Sequence, residues 1–221
     1  MIALDGNSMP VYECPTCRKI LTQEWFQTDV GALQKTNQLL RQRLADDESD
    51  EEEPAESIFE AINVNNLSRV QEYIVDDPSL INYQDDMLDT PLIDAARCGH
   101  LSIVEYLFEH GADINATNIN GSTALMSVAI SSDLTVVEYL VEHGADINAT
   151  NNRGMTALLY ASGSGTHSVV EYLVEQGADV LGKDNEGLTA LLYASHRGHH
   201  TIVDYLERAV NASSNDGNTT I

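Results

Sequence analysis

The chain has 221 residues, of which 43% are apolar, enough for one or two packed domains and too many for a chain that is disordered throughout. Aspartate and glutamate number 35 against 11 lysines and arginines, a formal net charge of −24. That surplus argues against a binder of nucleic-acid phosphates and against docking on an anionic membrane, and leaves a basic partner, or simple solubility, as the easier reading.

Residues 1–45 come first. The opening MIALDGNSMPVYECP has no basic stretch followed by an apolar one, so no secretory leader is expected, and no apolar run approaches the ~18 residues of a membrane span. Three cysteines, Cys14, Cys17 and Cys98, are too few for a disulfide framework, which points to a reducing compartment, cytoplasmic or nuclear. Cys14-Pro15-Thr16-Cys17 has the two-thiolate spacing of a zinc knuckle, but zinc takes four ligands. Val30 and Gln34 stand where a two-Cys-two-His finger needs histidines, and the eight ligands of a RING are missing. A redox pair normally has a βαβ context, which is absent here. Two chains could share one zinc, and Cys-Pro-X-Cys resembles the zinc hook of long DNA-repair ATPases over four residues. Downstream, Phe26, Val30, Leu33, Asn37, Leu40 and Leu44 are spaced as a coiled-coil seam with an asparagine at one a position, which fixes register in parallel dimers. The seam is short, and Gly31 costs about 1 kcal/mol relative to alanine. A self-associating helix within residues 12–45, a zinc site at Cys14 and Cys17, and a degenerate remnant all stay open.

Residues 46–56, DDESDEEEPAE, repel one another and read as an acidic, disordered linker.

Residues 57–210 are repetitive. Thr90, Thr123, Thr156 and Thr189 are 33 apart, as are Gly111, Gly144 and Gly177, and as are Tyr73, Tyr106, Tyr139, Tyr172 and Tyr205. A fixed period of this length marks a solenoid whose units bury their faces against one another. Within a unit, Thr90-Pro91-Leu92 reads as a capped helix start. Ala95 and Ala96 keep that helix thin, and Gly99 punctuates a turn. Leu101, Ile103, Val104 and Leu107 give a second helix one apolar side, which Gly111 ends. Asp113 to Gly121 has the Asp, Asn and Gly content of a projecting hairpin-like turn. Residues 211–221 read as a polar, disordered tail.

These units resemble the ankyrin repeat. The signature stands as DTPLIDAARCGHLSIVEYLFEHGADIN at residues 89–115, and recurs at 122–148, 155–181 and, ending in charge, 188–210. A divergent first copy, IFEAINVNNLSRVQEYIVDDPSLIN, covers 58–82 and looks like a cap. The resemblance implies an all-α solenoid of five helix-turn-helix units, the first and last capping, with projecting hairpin-like loops and a short helical segment before them. The family's usual histidine after Thr-Pro-Leu is replaced by Ile93, Met126, Leu159 and Leu192, so apolar packing is expected in place of its hydrogen bonds. The family's turn Gly-His is Ser132-Asp133 and Gly165-Thr166 in the third and fourth units, which predicts looser packing there.

The resemblance also implies a concave face that holds another protein and no chemistry of its own. Transferred by position, its contact sites are Asp86, Met87, Asp89, Arg97 and Cys98 in the second unit, and Ile119, Asn120, Ser122 and Ile130 in the third. They are Asn152, Arg153, Met155 and Gly163 in the fourth, and Asn185, Glu186, Leu188 and His196 in the fifth. Met87, Ile119, Met155 and Leu188 are expected as an exposed apolar strip for a partner helix or loop, one per unit. Tyr160 and Tyr193 are candidate aromatic anchors. Asp85, Asp86, Asp89 and Asp94 are candidates to recruit a basic segment. No nucleotide-binding, hydrolase, metalloprotease or kinase motif occurs. His196, His199 and His200 straddle a helix boundary, which suits turn chemistry better than a metal. Asn115 and Asn148 fit the pattern used by the asparaginyl hydroxylase that modifies ankyrin domains; Leu181 breaks it. The leading reading is a non-enzymatic adaptor. The alternatives are a zinc-assisted or coiled-coil homodimer displaying ankyrin domains, and a ubiquitin-pathway accessory with a partial zinc finger.

Overall fold

The computed structural model describes residues 57–131 and 133–216. The readings of Cys14, Cys17, the 26–44 seam and the acidic linker lie outside the described residues.

Among the described residues, ten α-helices pair into five units. The first unit is α1 (Ile58–Asn63) and α2 (Leu67–Asp76), followed by a 3-10 turn at Pro78–Asn82. Next come α3 (Pro91–Cys98) with α4 (Leu101–Glu109), and α5 (Ala124–Val128) with α6 (Leu134–Glu142). The last two units are α7 (Ala157–Ser164) with α8 (His167–Glu175), and α9 (Ala190–Arg197) with α10 (His200–Asp216). First helices pack in series, α1 on α3, α3 on α5, α5 on α7 and α7 on α9, and the second helices do the same. The result is a two-layer, all-α solenoid with one isolated antiparallel bridge, Lys183 to Thr189, among the described residues.

Small residues let the inner layer stack. Ala95, Ala96, Ala129, Ala161 and Ala194 are fully buried where first helices meet. The second helices contribute Ile103, Val104, Leu107 and their equivalents Val136, Val137, Leu140, Val169, Val170 and Leu173, all buried. Each such side chain stabilises the stack by roughly 1.5–3 kcal/mol. Each threonine caps its helix: the hydroxyls of Thr90, Thr123, Thr156 and Thr189 accept from the backbone N–H three residues on, at 3.3–3.4 Å. Ile93, Met126 and Leu159 are buried at the positions that replace histidine, as the packing expectation requires. On the outer layer, Tyr139 stacks on His143 and Tyr106 meets His110 at a tilt, with centroids 4.0 Å apart in both pairs. Phe108 meets the Tyr139 ring edge-on.

The expected looseness is confined to the third unit. Its helix α5 has 5 residues against 8 in α7, and Ser131, Ser132 and Asp133 offer no glycine for a left-handed stop. The fourth unit is tightly tied instead. Gly165 holds φ +82°, and a Cβ there would stand 2.5 Å from the His199 ring. The Thr166 hydroxyl is buried and shares its proton between the carbonyls of Ala129 at 3.1 Å and Ala161 at 3.2 Å. Helix α10 runs on to Asp216, so residues 211–216 are helical where composition predicts a disordered tail. None of the helices among the described residues is long and apolar enough to cross a membrane.

Candidate protein-binding surface

Each projecting loop is built around one Asx residue, and the four recur at the 33-residue period: Asp85, Asn118, Asn151 and Asp184. The side-chain oxygen of each accepts from two backbone N–H groups, those of Met87 and Asp89 (2.8 and 2.8 Å), Asn120 and Ser122 (3.0 and 3.0 Å), Arg153 and Met155 (2.9 and 3.0 Å), and Glu186 and Leu188 (2.9 and 2.8 Å). The loop backbone also closes on itself, as where Asn118 N donates to Ser122 O at 3.0 Å. Sequence reasoning overlooked Asn118, Asn151 and Asp184 and read Asp85 as a recruiter of a basic segment, although an Asp or Asn at constant register is the signal for such a turn.

The tips are linked in series. Ile119 N donates to Met87 O at 2.9 Å, Asn152 N to Asn120 O at 2.9 Å, and Asn185 N to Arg153 O at 3.0 Å. Asn152 and Asn185 add side-chain bonds, Nδ2 to Ile119 O at 3.1 Å and Nδ2 to Asn152 O at 3.0 Å. Asp86, Met87, Ile119, Asn120, Asn152, Asn185 and Glu186 stand exposed along this ridge, with Arg153 half-buried among them. Ile130 is exposed at the end of α5.

Several expected contact residues lie inside instead. Met155 and Leu188 are buried, so the predicted strip of four apolar side chains reduces to Met87 and Ile119. Register explains the difference. Met155 and Leu188 are equivalent to Asp89 and Ser122, at the base of the loop where the chain turns into the first helix. Asp89 and Asp94 are buried as well, and Arg97 holds both: its guanidinium donates to Asp89 Oδ2 at 2.8 Å and pairs with Asp94. Asn118 Nδ2 donates to the other Asp89 oxygen at 2.9 Å. These carboxylates are therefore structural and do not face a basic ligand; Arg97, half-buried, neutralises two charges that would otherwise repel.

The two tyrosines belong to the same frame. Tyr193 is buried, and its hydroxyl donates to Asp184 Oδ2 at 2.7 Å and lies 3.3 Å from Met155 Sδ. Burial, then the hydrogen bond and charge of Asp184, push its ionisation well above the usual phenol range. Tyr160 is half-buried and accepts from Asn151 Nδ2 at 2.9 Å. Each tyrosine thus braces the Asx residue nine positions before it. In the third unit Ser127 is too short to do so and donates to Thr123 O at 3.1 Å. In the second unit Asp94 stands at that register, and Arg97 pairs with it.

Histidines 196, 199 and 200 do not converge. His196 is half-buried, His199 Nε2 lies 3.3 Å from Gly163 O, and no group of three His, Cys, Asp or Glu side chains among the described residues could hold a metal ion. Cys98 is exposed, its thiol donating to Asn63 Oδ1 at 3.4 Å. Ser122 is half-buried and receives Asn151 Nδ2 at 3.1 Å.

Asn115 and Asn148, in the same connecting segments but before the tips, form a second ladder begun by Asn82. Their Oδ1 atoms accept from Asp146 N and Asp179 N at 2.9 Å, and Asn82 Oδ1 accepts from Asp113 N at 2.8 Å. Their Nδ2 groups donate to Gly144 O at 3.4 Å and Gly177 O at 3.3 Å. Leu181 ends this ladder, exposed. Both asparagines join successive units and remain exposed.

A family model described as Ankyrin repeats (3 copies) matches residues 31–118, 58–151, 115–184 and 148–217. Over 98 residues the chain is 30% identical to Ankyrin repeat domain-containing protein 49 of Bos taurus, covering 44% of this chain and 34% of that protein. Over 60 residues it is 42% identical to Palmitoyltransferase AKR1 of Lachancea kluyveri, covering 27% of this chain and 8% of that protein. The chain therefore spans much less than two thirds of either relative. With the period, the serial packing of both helix layers and the linked loop tips agreeing with a family match that runs through the whole solenoid, this chain belongs to the ankyrin repeat family, whose stacked units form a protein-interaction module.

Proposed function

We propose that the solenoid is a non-enzymatic adaptor that holds a partner protein on the ridge of loop tips and the first helices beside it. One observation carries this reading: the frame repeats while the tips do not. The Asx residues, caps and buried alanines recur at fixed register, whereas the paired tip residues change from Asp86-Met87 to Ile119-Asn120, Asn152-Arg153 and Asn185-Glu186. A rigid frame that presents a different pair in each unit suits recognition of one extended surface. The buried carboxylates are engaged by the frame itself, Asp89 and Asp94 by Arg97 and Asp184 by Tyr193, which favours binding over chemistry. Residues 57–210 hold 22 Asp and Glu and 6 Lys and Arg, which favours a basic or amphipathic partner segment. A reducing compartment, cytoplasmic or nuclear, suits the unpaired Cys98.

The test is affinity capture with the full chain from a lysate of its source, quantified against a triple tip variant, Ile119→Asp, Asn152→Ala and Glu186→Lys. The expected result is a small set of proteins retained by the native chain and lost from a variant with unchanged circular dichroism. Identical capture by both chains refutes the reading.

A further inference from the structure

Three of the four loops carry glycine just after the tip pair: Gly121, Gly154 and Gly187, at φ +74°, +73° and +82°. The second unit carries Leu88 there, at φ +56°, a conformation in which an L side chain is strained. A Cβ on Gly121 or Gly154 would stand 2.7 Å from the side-chain oxygen of the next tip's asparagine, Asn152 or Asn185. At that register the residue after Leu88 in the stack is Ile119. Isoleucine cannot make the side-chain bond to the preceding tip's carbonyl that Asn152 and Asn185 make. The junction of the second and third loops thus lacks both the relaxed glycine and the amide bond of the other two. In their place stand apolar side chains that folding does not bury: Leu88 is 42% exposed, Ile119 50% and Met87, on the same tip, 49%.

Folding alone favours glycine and asparagine at these two positions, so the choice of leucine and isoleucine calls for something outside the fold. We infer that Met87, Leu88 and Ile119 anchor the apolar side of a cationic, amphipathic segment of the partner, a site that rests on the adaptor reading above. Charge selects this occupant. Asp86 is exposed on the same tip, and neither loop from residue 84 to 90 nor from 117 to 123 contains a lysine or arginine. The far end of the ridge, in contrast, carries Arg153 and Lys183. An acidic segment of the same pattern is repelled by the solenoid as a whole.

The probe is a fluorescein-labelled helix-forming peptide of roughly 18 residues, five turns, with leucine on one face and lysine on the other. Two controls share its length: one with glutamate in place of lysine, one with glycine and serine in place of leucine. Anisotropy titrations use the full chain. The Leu/Lys peptide is expected to bind, and Leu88→Gly and Ile119→Asn are each expected to weaken it at least about tenfold, as loss of an anchor does. Asn185→Ala, at the distant tip, is expected to change it less than about twofold. Leu88→Gly is also expected to raise the urea midpoint, so lost binding cannot reflect unfolding. Equal binding by Leu88→Gly and the native chain overturns the proposal. So does equal binding of the leucine-free peptide, or a dimer in sedimentation that Leu88→Gly converts to monomer, which would make a second copy the occupant. Binding weakened only by Asn185→Ala moves the anchor elsewhere and leaves the adaptor standing; the triple variant's capture test decides the adaptor itself.

Discussion

Replacing Ser162 by alanine should stabilise this protein. Ser162 lies on α7 with no exposed surface, and its hydroxyl has no hydrogen-bond partner among the described residues. Ala96 and Ala129 occupy the same register in the two preceding units, both fully buried. A buried neutral hydroxyl without a partner costs about 1–2 kcal/mol, the lower part of the range for unsatisfied groups. Alanine adds roughly 0.5 kcal/mol of helix propensity. The void left by one oxygen subtracts less than about 0.5 kcal/mol. The net expectation for Ser162→Ala is a gain of about 1–2 kcal/mol. In urea unfolding of the full chain, with a slope of about 2 kcal/mol/M, that moves the midpoint up by about 0.5–1 M at unchanged slope. The melting temperature should rise by roughly 2–8 °C. An unchanged or lower midpoint refutes the reasoning, because it means that the hydroxyl is satisfied, for instance by the Leu158 carbonyl one turn earlier.

Asn148→Leu, which copies Leu181 into the ladder, removes the bonds to Asp179 N and Gly177 O and should destabilise by about 1–2 kcal/mol, with a shallower urea transition because neighbouring units uncouple. Gly165→Ala should cost at least about 1–3 kcal/mol, since its positive φ and the His199 ring both oppose a methyl group; equal thermal stability counts against it. Tyr193 holds its proton above the usual phenol range, so the unfolded chain ionises first. Its contribution is complete below about pH 10 and declines as pH rises beyond, and Tyr193→Phe should flatten that decline in urea midpoints measured from about pH 8 to 11. A zinc shared between two chains at Cys14 and Cys17 predicts about 0.5 zinc per chain and a dimer that a chelator dissociates; a monomer in both conditions removes that reading.

The sequence determined the fold, because a 33-residue period in threonine, glycine and tyrosine leaves a chain of helix pairs no other way to bury alternating apolar faces than against one another. It also marked where the loops project and which residues cap the helices. Only the tertiary structure decided which loop residues face outward. Met155, Leu188 and Asp89 read as surface from their place in a variable loop, yet a shift of two or three residues from the tip turns a side chain from solvent to the base of the loop. Leu88 is the converse. In the sequence it is one more leucine, and its strain becomes visible only when its backbone is laid beside those of Gly121, Gly154 and Gly187. Local pattern fixes which elements form; whether a polar group is a frame member or a contact depends on partners 29 to 38 residues away, such as Asn118 for Asp89 or Met155 for Tyr193, which no local reading brings together.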